Sequence, residues 1–353
     1  MPSEVPQVSL SEARLIADEQ FLRKIAYMYY EDGHSQEAIA EMESCSRQTI
    51  SKALQKAKER GIIRISIVPD LRTGYLRNLS REVRRKLNLE DLVLVPGRNF
   101  EHLSGDETLD EVVAEIGNAA ADYLDQLLTD TDILAVTGGK VFMRNVVRYL
   151  NPTRPLPGLR VVSTIGFVEP HTSFGDANLI AYDIAQAYGA SHAWFCVPAF
   201  LPTGPEVPVE AILALNHSFP LTRVALDLSA QANVVMMGLW TPHTNDDVVM
   251  RGILSKEQID AIDRFHPVVD INHWVFDAEG RCINELMEPR PYYLVGLEIP
   301  RLKERITKES TQVILVAGGG PSYVPAISTV LKAGLANILV TDHITAQMLL
   351  VNA

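Results

Sequence analysis

Apolar positions set out the first part of the chain. Phe21, Ile25, Met28 and Tyr29 recur at i, i+4, i+7 and i+8, the stripe of an amphipathic helix, which the sequence ends at Gly33. Ser35 then precedes a short helix over Gln36–Met42, where its hydroxyl can cap exposed backbone N–H groups. After the turn Glu43-Ser44-Cys45, Ser46 caps a further helix over 47–60 that stops at Gly61. Ile50, Leu54 and Ala57 share one face of it, and Gln48, Ser51, Lys52 and Gln55 project from the other. Two short helices around a tight turn, the second with an apolar back and a polar front, is a helix-turn-helix layout. Gln and Arg can pair with base edges there, and Lys and Ser can hold phosphates. The turn has no glycine, and a left-handed non-glycine residue costs on the order of 1 kcal/mol. The β-branched run Ile62–Val68 predicts a strand, the wing of a winged helix. A three-helix protein-interaction bundle is the competing structural reading.

Leu76, Leu79, Val83 and Leu87 sit at helical spacing among arginines, which predicts a joining helix. Beyond it, strand-length apolar runs alternate with helices. The strands are placed at 92–95, 133–136, 160–165, 194–197, 234–239, 268–271, 293–297, 313–317 and 338–341. The helices are placed at 107–128, 140–150, 178–188, 209–216, 256–265, 322–332 and 345–350. Strand and helix in repeated alternation mean a mostly parallel sheet covered on both faces. The chain is therefore expected to divide into a helix-turn-helix domain with an N-terminal arm over 1–69, a linker helix over 70–89, and an α/β effector-binding and oligomerisation domain over 90–353.

Composition narrows the class. With 353 residues, 47% apolar and 22% charged, the chain is a folded one of about two domains. No apolar run approaches the ~20 residues of a membrane span, and the first residues hold no export signal, so a cytoplasmic location is expected. Cys45, Cys196 and Cys282 are odd in number and far apart, which fits reduced thiols. The net charge of −12 conceals a segregation. Between Ser46 and Lys86 twelve basic residues face three acidic ones, a net +9, and the remainder carries −21. A basic segment on an acidic chain suits contact with nucleic-acid phosphates, although a solvated helix face explains charge alone equally well.

In a parallel sheet, ligands bind beyond the carboxyl ends of the strands. Those ends here carry Thr137-Gly138-Gly139-Lys140, Gly166 and Gly318-Gly319-Gly320-Pro321. Glycines admit a ligand to the backbone, and N–H groups at a helix start favour an anion. Each turn alone is equally a tight β–α connection; together they point to a small polar or anionic ligand. No HExxH, GxSxG or paired Cys/His pattern occurs, and no metal or cofactor is expected. Asp270 with His273 is the nearest candidate for catalysis, but residues three apart on a strand point to opposite faces. Asp270 and Asn272 share a face and suit ligand hydroxyls. Asp176 and Asn178 offer similar capacity, with helix capping the alternative.

The runs Ile25–Tyr30, Ser35–Ala40 and Ser46–Leu54 resemble the DNA-binding module of the SorC/DeoR family of sugar-responsive transcriptional regulators. The resemblance continues in Val268–Ile271 ahead of Phe276–Gly280, in Ala317-Gly318-Gly319, and in Ile338–Asp342 followed by Thr345-Ala346 and Leu349-Leu350. It implies an effector domain with the fold shared by phosphosugar isomerases and glucosamine-phosphate deaminases. It also implies sugar or phosphosugar ligands, an operator of double-stranded DNA and a homotetramer. The residues expected at DNA are Gln36, Ser46, Arg47, Gln48, Thr49, Ser51, Lys52 and Gln55. Those expected at the effector are Thr137, Gly138, Gly139, Lys140, Gly166, Asp176, Asn178, Asp270, Asn272, Gly318, Gly319 and Tyr323. The chain departs from the family pattern at Glu43 for leucine, Ser44 for glycine, Val141 for threonine, Val269 for glycine and Tyr323 for lysine. Losing that lysine and threonine opens the ligand to an uncharged sugar or polyol, with Lys140 the compensating cation. A regulator is the expectation. An enzyme on phosphorylated sugars with an accessory DNA module, or a constitutive DNA-binding scaffold, are the alternatives.

Overall fold

The structure is a computed structural model that describes residues 16–63, 74–97, 106–168, 175–202, 214, 218–241, 254–288, 290 and 292–352. They fall into two compact units, one within Met1–Val68 and one within Pro69–Ala353.

Among its described residues the smaller unit is built on three helices, α1 (Glu19–Tyr30), α2 (Gln36–Met42) and α3 (Arg47–Glu59). Each begins at a side-chain cap: Asp18 accepts from the Gln20 N–H, Ser35 from Ala38 and Ser46 from Thr49. Gly33 and Gly61 follow α1 and α3 with φ of 71° and 72°, a left-handed conformation that glycine adopts without cost. Leu22, Ile25, Ile39, Ile50, Ala53 and Ala57 interlock as the core. Between α2 and α3 the turn takes its left-handed residue at Ser44, with φ of 51°. Residues 64–68 of the expected wing lie outside the described residues.

The larger unit begins with α4 (Gly74–Lys86), which packs Leu79 and Val83 into the main core together with Leu89 and Leu92. The apolar stripe of the joining helix thus packs on its own domain. A seven-stranded parallel sheet follows, made of β1 (Asp91–Val95), β2 (Ile133–Val136), β3 (Arg160–Ser163), β4 (Ser191–Ala193), β6 (Val234–Met237), β10 (Gln312–Val316) and β11 (Ile338–Asp342). Its order is β1-β11-β10-β6-β2-β3-β4. The inner strands β2, β6, β10 and β11 are almost wholly buried, which explains their unbroken apolar runs. Helices α5 (Asp106–Leu127), α6 (Phe142–Tyr149) and α7 (Ala177–Tyr188) connect β1 through β4 in one direction. Helix α8 (Pro220–Gln231) starts the return toward β6. Right-handed crossovers running in opposite directions place the two groups of helices on opposite faces.

Two small antiparallel pairs stand apart from the sheet: β5 (Phe200–Pro202) with β9 (Tyr292–Leu294), and β7 (Val269–Ile271) with β8 (Trp274–Phe276). Helices α9 (Lys256–Asp263), α10 (Ile283–Leu286), α11 (Leu302–Glu309), α12 (Tyr323–Lys332) and α13 (His343–Asn352), with a 3-10 turn over Ile299–Arg301 leading into α11, follow. The strand expected at 194–197 is not one. The edge strand lies just before it at Ser191–Ala193, and Phe195 donates its N–H to the Asn178 side chain instead of to a ladder. The expected helix over 209–216 lies almost entirely outside the described residues. Among the described residues no helix is long and apolar enough to cross a membrane.

Candidate functional site

Strand order reverses direction between β2 and β6, so the crevice outside their carboxyl ends is the switch point at which open α/β sheets bind ligands. Thr137 stands at its floor, fully buried. Its hydroxyl accepts from the Gly238 N–H at 3.1 Å and donates to the Gly138 carbonyl at 3.0 Å, which locks the turns after the two strands together. Gly138 lies so close to the turn before α7 that a Cβ would meet the Gly175 carbonyl at 2.4 Å. Gly139 donates to that carbonyl at 2.8 Å, and Lys140 follows, exposed.

The β7–β8 hairpin closes one side. Trp240 and Asp270 exchange backbone hydrogen bonds at 2.9 and 3.0 Å, so the extension of β6 carries the acid to the crevice. The strand stops at Ile271, and Asn272 and His273 form a two-residue turn with φ of 54° and 64°. This overturns the expectation that Asp270 and His273 point apart. The turn folds His273 back, its N–H donating to Asp270 at 2.7 Å and its Nδ1 lying 3.8 Å from the other carboxylate oxygen. Strand alternation fails here because a left-handed turn begins immediately after Ile271. Asn272 also departs from the expected shared face. It is buried and donates its amide to the Thr164 hydroxyl, tying the hairpin to the end of β3. His273 stacks on Trp240 with ring planes 18° apart and centroids at 6.0 Å, and Phe200 packs against it at 4.7 Å.

On the far side Gly318 and Gly319 have φ of 156° and 88°. Their loop is held by Asp342 at the end of β11, fully buried, which accepts from the Gly319 N–H at 2.7 Å. The same carboxylate accepts from the N–H groups of Ile344 and Thr345 at 3.0 and 2.9 Å and from the Thr345 hydroxyl at 2.6 Å. A Cβ on Gly318 would meet the Thr341 hydroxyl at 2.6 Å. Tyr323, where the family pattern has lysine, is buried against Phe142 with ring centroids at 5.2 Å, and burial raises its phenol pKa.

The remaining expected residues serve the frame. Asp176 caps α7, accepting from Asn178 and Leu179. Asn178 is buried and accepts from Ser163 and the Phe195 N–H. Gly166 has no room for a Cβ beside the Val197 carbonyl and the Ala199 nitrogen. Trp240 and Gly175 escape the sequence reading, which weighs His273 only as a catalytic partner of Asp270 and Asp342 only as part of the C-terminal resemblance. For Asp342 a signal existed: an acid three residues before Thr345 at a helix start is a capping pattern. A cavity of about 450 Å³ lies elsewhere, between α4 and the edge strand β1, lined by Arg77, Arg81 and Arg84 over Leu92–Leu94. It is remote from the switch point, and strand topology is the better guide to the ligand. No cluster of metal-ligating side chains occurs among the described residues.

In the smaller unit α3 exposes Arg47, Gln48, Ser51, Lys52 and Gln55 along one side and buries Ile50, Ala53, Leu54 and Ala57 on the other. Thr49 is buried, its hydroxyl 2.7 Å from that of the capping Ser46, so it shapes the helix start. Gln36 is half-buried at the start of α2, and Arg47 pairs with Glu37 at 2.9 Å.

Comparison with known proteins agrees with this architecture. The deoxyribonucleoside regulator of Bacillus subtilis (strain 168) is 25% identical over 351 residues, 99% of each chain. The transcriptional regulator LsrR of Escherichia coli (strain K12) is 27% identical over 345 residues, 97% of this chain and 98% of that one. In fold, the full-length sorbitol operon regulator SorC from Klebsiella pneumoniae superposes with a TM-score of 0.62 at 23% identity, covering 94% of this chain and 98% of its own. These relatives are named as regulators rather than enzymes. The family of sugar-binding domains matches residues 73–351, most of the chain, and the protein belongs to it.

Proposed function

We propose that this protein is a transcriptional regulator. In this reading the smaller unit is a helix-turn-helix that reads operator DNA, and a carbohydrate bound at the β2/β6 crevice controls that reading. The DNA half rests on the exposed row Gln48, Ser51, Lys52 and Gln55, set opposite a sealed core within a segment of net +9. The ligand half rests on the convergence at one sheet edge of Asp270, Lys140 and two glycine turns held by Thr137 and Asp342. Tyr323 supplies an aromatic surface in place of a cation, and Lys140 is the basic residue that follows the β2 glycine turn, so a neutral sugar or polyol fits the chemistry better than a densely charged phosphosugar. One helix-turn-helix reads a half-site, so the working form is a symmetric oligomer, and the family resemblance makes it a homotetramer.

The test is operator binding, on a duplex selected by the wild-type protein, titrated with the best ligand from a thermal-shift screen of sugars, polyols and their phosphates. Replacing Gln48 with alanine should change preference at one base position by ~1–3 kcal/mol, and Lys52→Ala should chiefly lower the salt slope. Asp270→Ala should abolish the ligand response with operator affinity intact. Unchanged midpoint and amplitude in Asp270→Ala would place the pocket elsewhere.

A further inference from the structure

Large apolar side chains are exposed unevenly on the larger unit. Among its described residues ten stand out, and six of them flank one end of the sheet: Leu179 and Tyr182 on α7, Trp194 just after β4, and Phe219, Leu221 and Val224 at the start of α8. Both helices pack on β4, the outermost strand, and β3 is its only ladder partner among the described residues. Tyr182, His192 and Trp194 form one aromatic cluster, with ring centroids 5.1 to 5.8 Å apart.

Local structure does not account for this exposure. Phe219 occupies the N-cap of α8, where a Ser, Thr, Asp or Asn would satisfy a backbone N–H, and it makes no cap bond while remaining 56% exposed. Leu221, at 67%, lies on the first turn beside Thr222 and Ala225, which take the inward positions. The helices here are also nearly free of charge on a chain whose residues outside the basic segment sum to −21. Helix α7 carries only Asp183, neutralised by Arg144 at 2.8 Å, and α8 carries one Arg223 and one Asp227.

We infer that the β4 edge, with the exposed faces of α7 and α8 beside it, is where two copies of this chain associate. Four observations select a second copy over another partner. At 37–67% exposure, six side chains of this size present roughly 500 Å² of apolar surface, most of the ~800 Å² that each side of a stable interface buries. Homodimer interfaces are more apolar than those with transient partners, and the six exposed side chains here are all apolar, with Arg223 and Asp227 the charged residues of α8 beside them. An edge strand with one unpaired side is self-complementary about a two-fold axis, because antiparallel pairing with its own copy continues the sheet. The other exposed edge groove, beside β1, carries Arg77, Arg81 and Arg84 and would set like charges against each other in such a pairing. The inference shares with the functional reading only the need for more than one copy, and it is tested without DNA or effector.

The experiment is sedimentation velocity on the full chain across the micromolar range. Wild type should associate. Leu221→Glu combined with Trp194→Glu should weaken association a hundredfold or more, since a buried unpaired carboxylate opposes the contact. Leu286→Glu, at an exposed apolar position away from the edge, should associate as wild type does. Leu221→Ser with Val224→Ser removes apolar area at two exposed positions without adding charge, and serves if the glutamates unfold the chain. A monomeric wild type overturns the inference and leaves the face to a different protein. A folded edge variant that associates with wild-type affinity overturns it as well.

Discussion

Asp342 offers the most direct test of how the crevice is held. Its carboxylate accepts three backbone N–H groups and one hydroxyl, at 2.6 to 3.0 Å, with no exposure to water. Asp342→Ala therefore leaves a buried Gly319 N–H unsatisfied, which costs ~1–3 kcal/mol, and removes a helix cap worth ~0.5–2 kcal/mol. The alanine also loses the Thr345 hydroxyl bond. Because these donors share one acceptor the losses do not simply add, and the expected total is ~3–5 kcal/mol. Asp342→Asn retains shape and one acceptor oxygen but turns an amide toward the remaining donors, so ~2 kcal/mol is expected. All three tryptophans, Trp194, Trp240 and Trp274, lie in the larger unit, so indole fluorescence in a urea titration reports its unfolding alone. The order of stability should be wild type, asparagine, then alanine, at an unchanged m-value. Alanine within 1 kcal/mol of wild type would refute the reasoning, as would asparagine falling below alanine.

Three further outcomes are expected. Gly138→Ala sets a Cβ 2.4 Å from the Gly175 carbonyl, so the β2 turn must move; urea titration should show ~2–3 kcal/mol lost, and a neutral result would mean that the two turns separate freely. Ser44→Gly relieves a left-handed serine in the turn before α3 and should raise the stability of the smaller unit by up to ~1 kcal/mol, read by circular dichroism on melting. Burial pushes the Cys282 thiol up to about 12, and since the thiolate is the reactive form, Ellman's reagent at mild alkaline pH should modify exposed Cys196 first and reach Cys282 only in denaturant. Rapid reaction of all three thiols in the folded protein would contradict that burial.

The elements legible in the sequence are those whose signal is local. Unbroken apolar runs place β2, β10 and β11 within a residue, because strands buried on both faces need no polar alternation. Ser35, Ser46 and the Ser255–Gln258 capping box mark α2, α3 and α9 at their first turns. Where the local signal is missing, so is the element. Helix α8 has Phe219 at its N-cap with no capping side chain and only Pro220 at its first position as a start signal, and it escapes notice; the run Trp194–Val197 passes for a strand because its buried Phe195 and Val197 read as strand residues while lying outside the ladder. The Asn272–His273 turn is illegible for a different reason. Both residues take left-handed backbone without glycine, a conformation fixed by the hairpin and by the anchoring of Asn272 on Thr164.

That turn also divides the candidate site in a way the sequence could not. Thr137, Gly138, Gly166, Asp176, Asn178, Asn272 and Gly318 spend their hydrogen bonds or their missing Cβ atoms on fixing the backbone; Asp270 spends one carboxylate oxygen on the His273 N–H and is half-buried, and Lys140 is exposed. Substituting a residue of the first group should lower stability and ligand response together; substituting Lys140 should lower the response alone, and Asp270→Asn, which keeps an oxygen for the His273 N–H, should lower the response with little loss of stability. The distinction matters energetically. A tenfold change in operator affinity requires only ~1.4 kcal/mol of differential ligand binding, and linkage obliges the operator to change ligand affinity by the same factor. A frame residue worth 2–3 kcal/mol of stability can thus mimic a recognition residue in an operator assay. Only stability measured beside response separates them, and Asp270→Asn, with near-unchanged melting and no response, is the outcome that identifies a ligand contact.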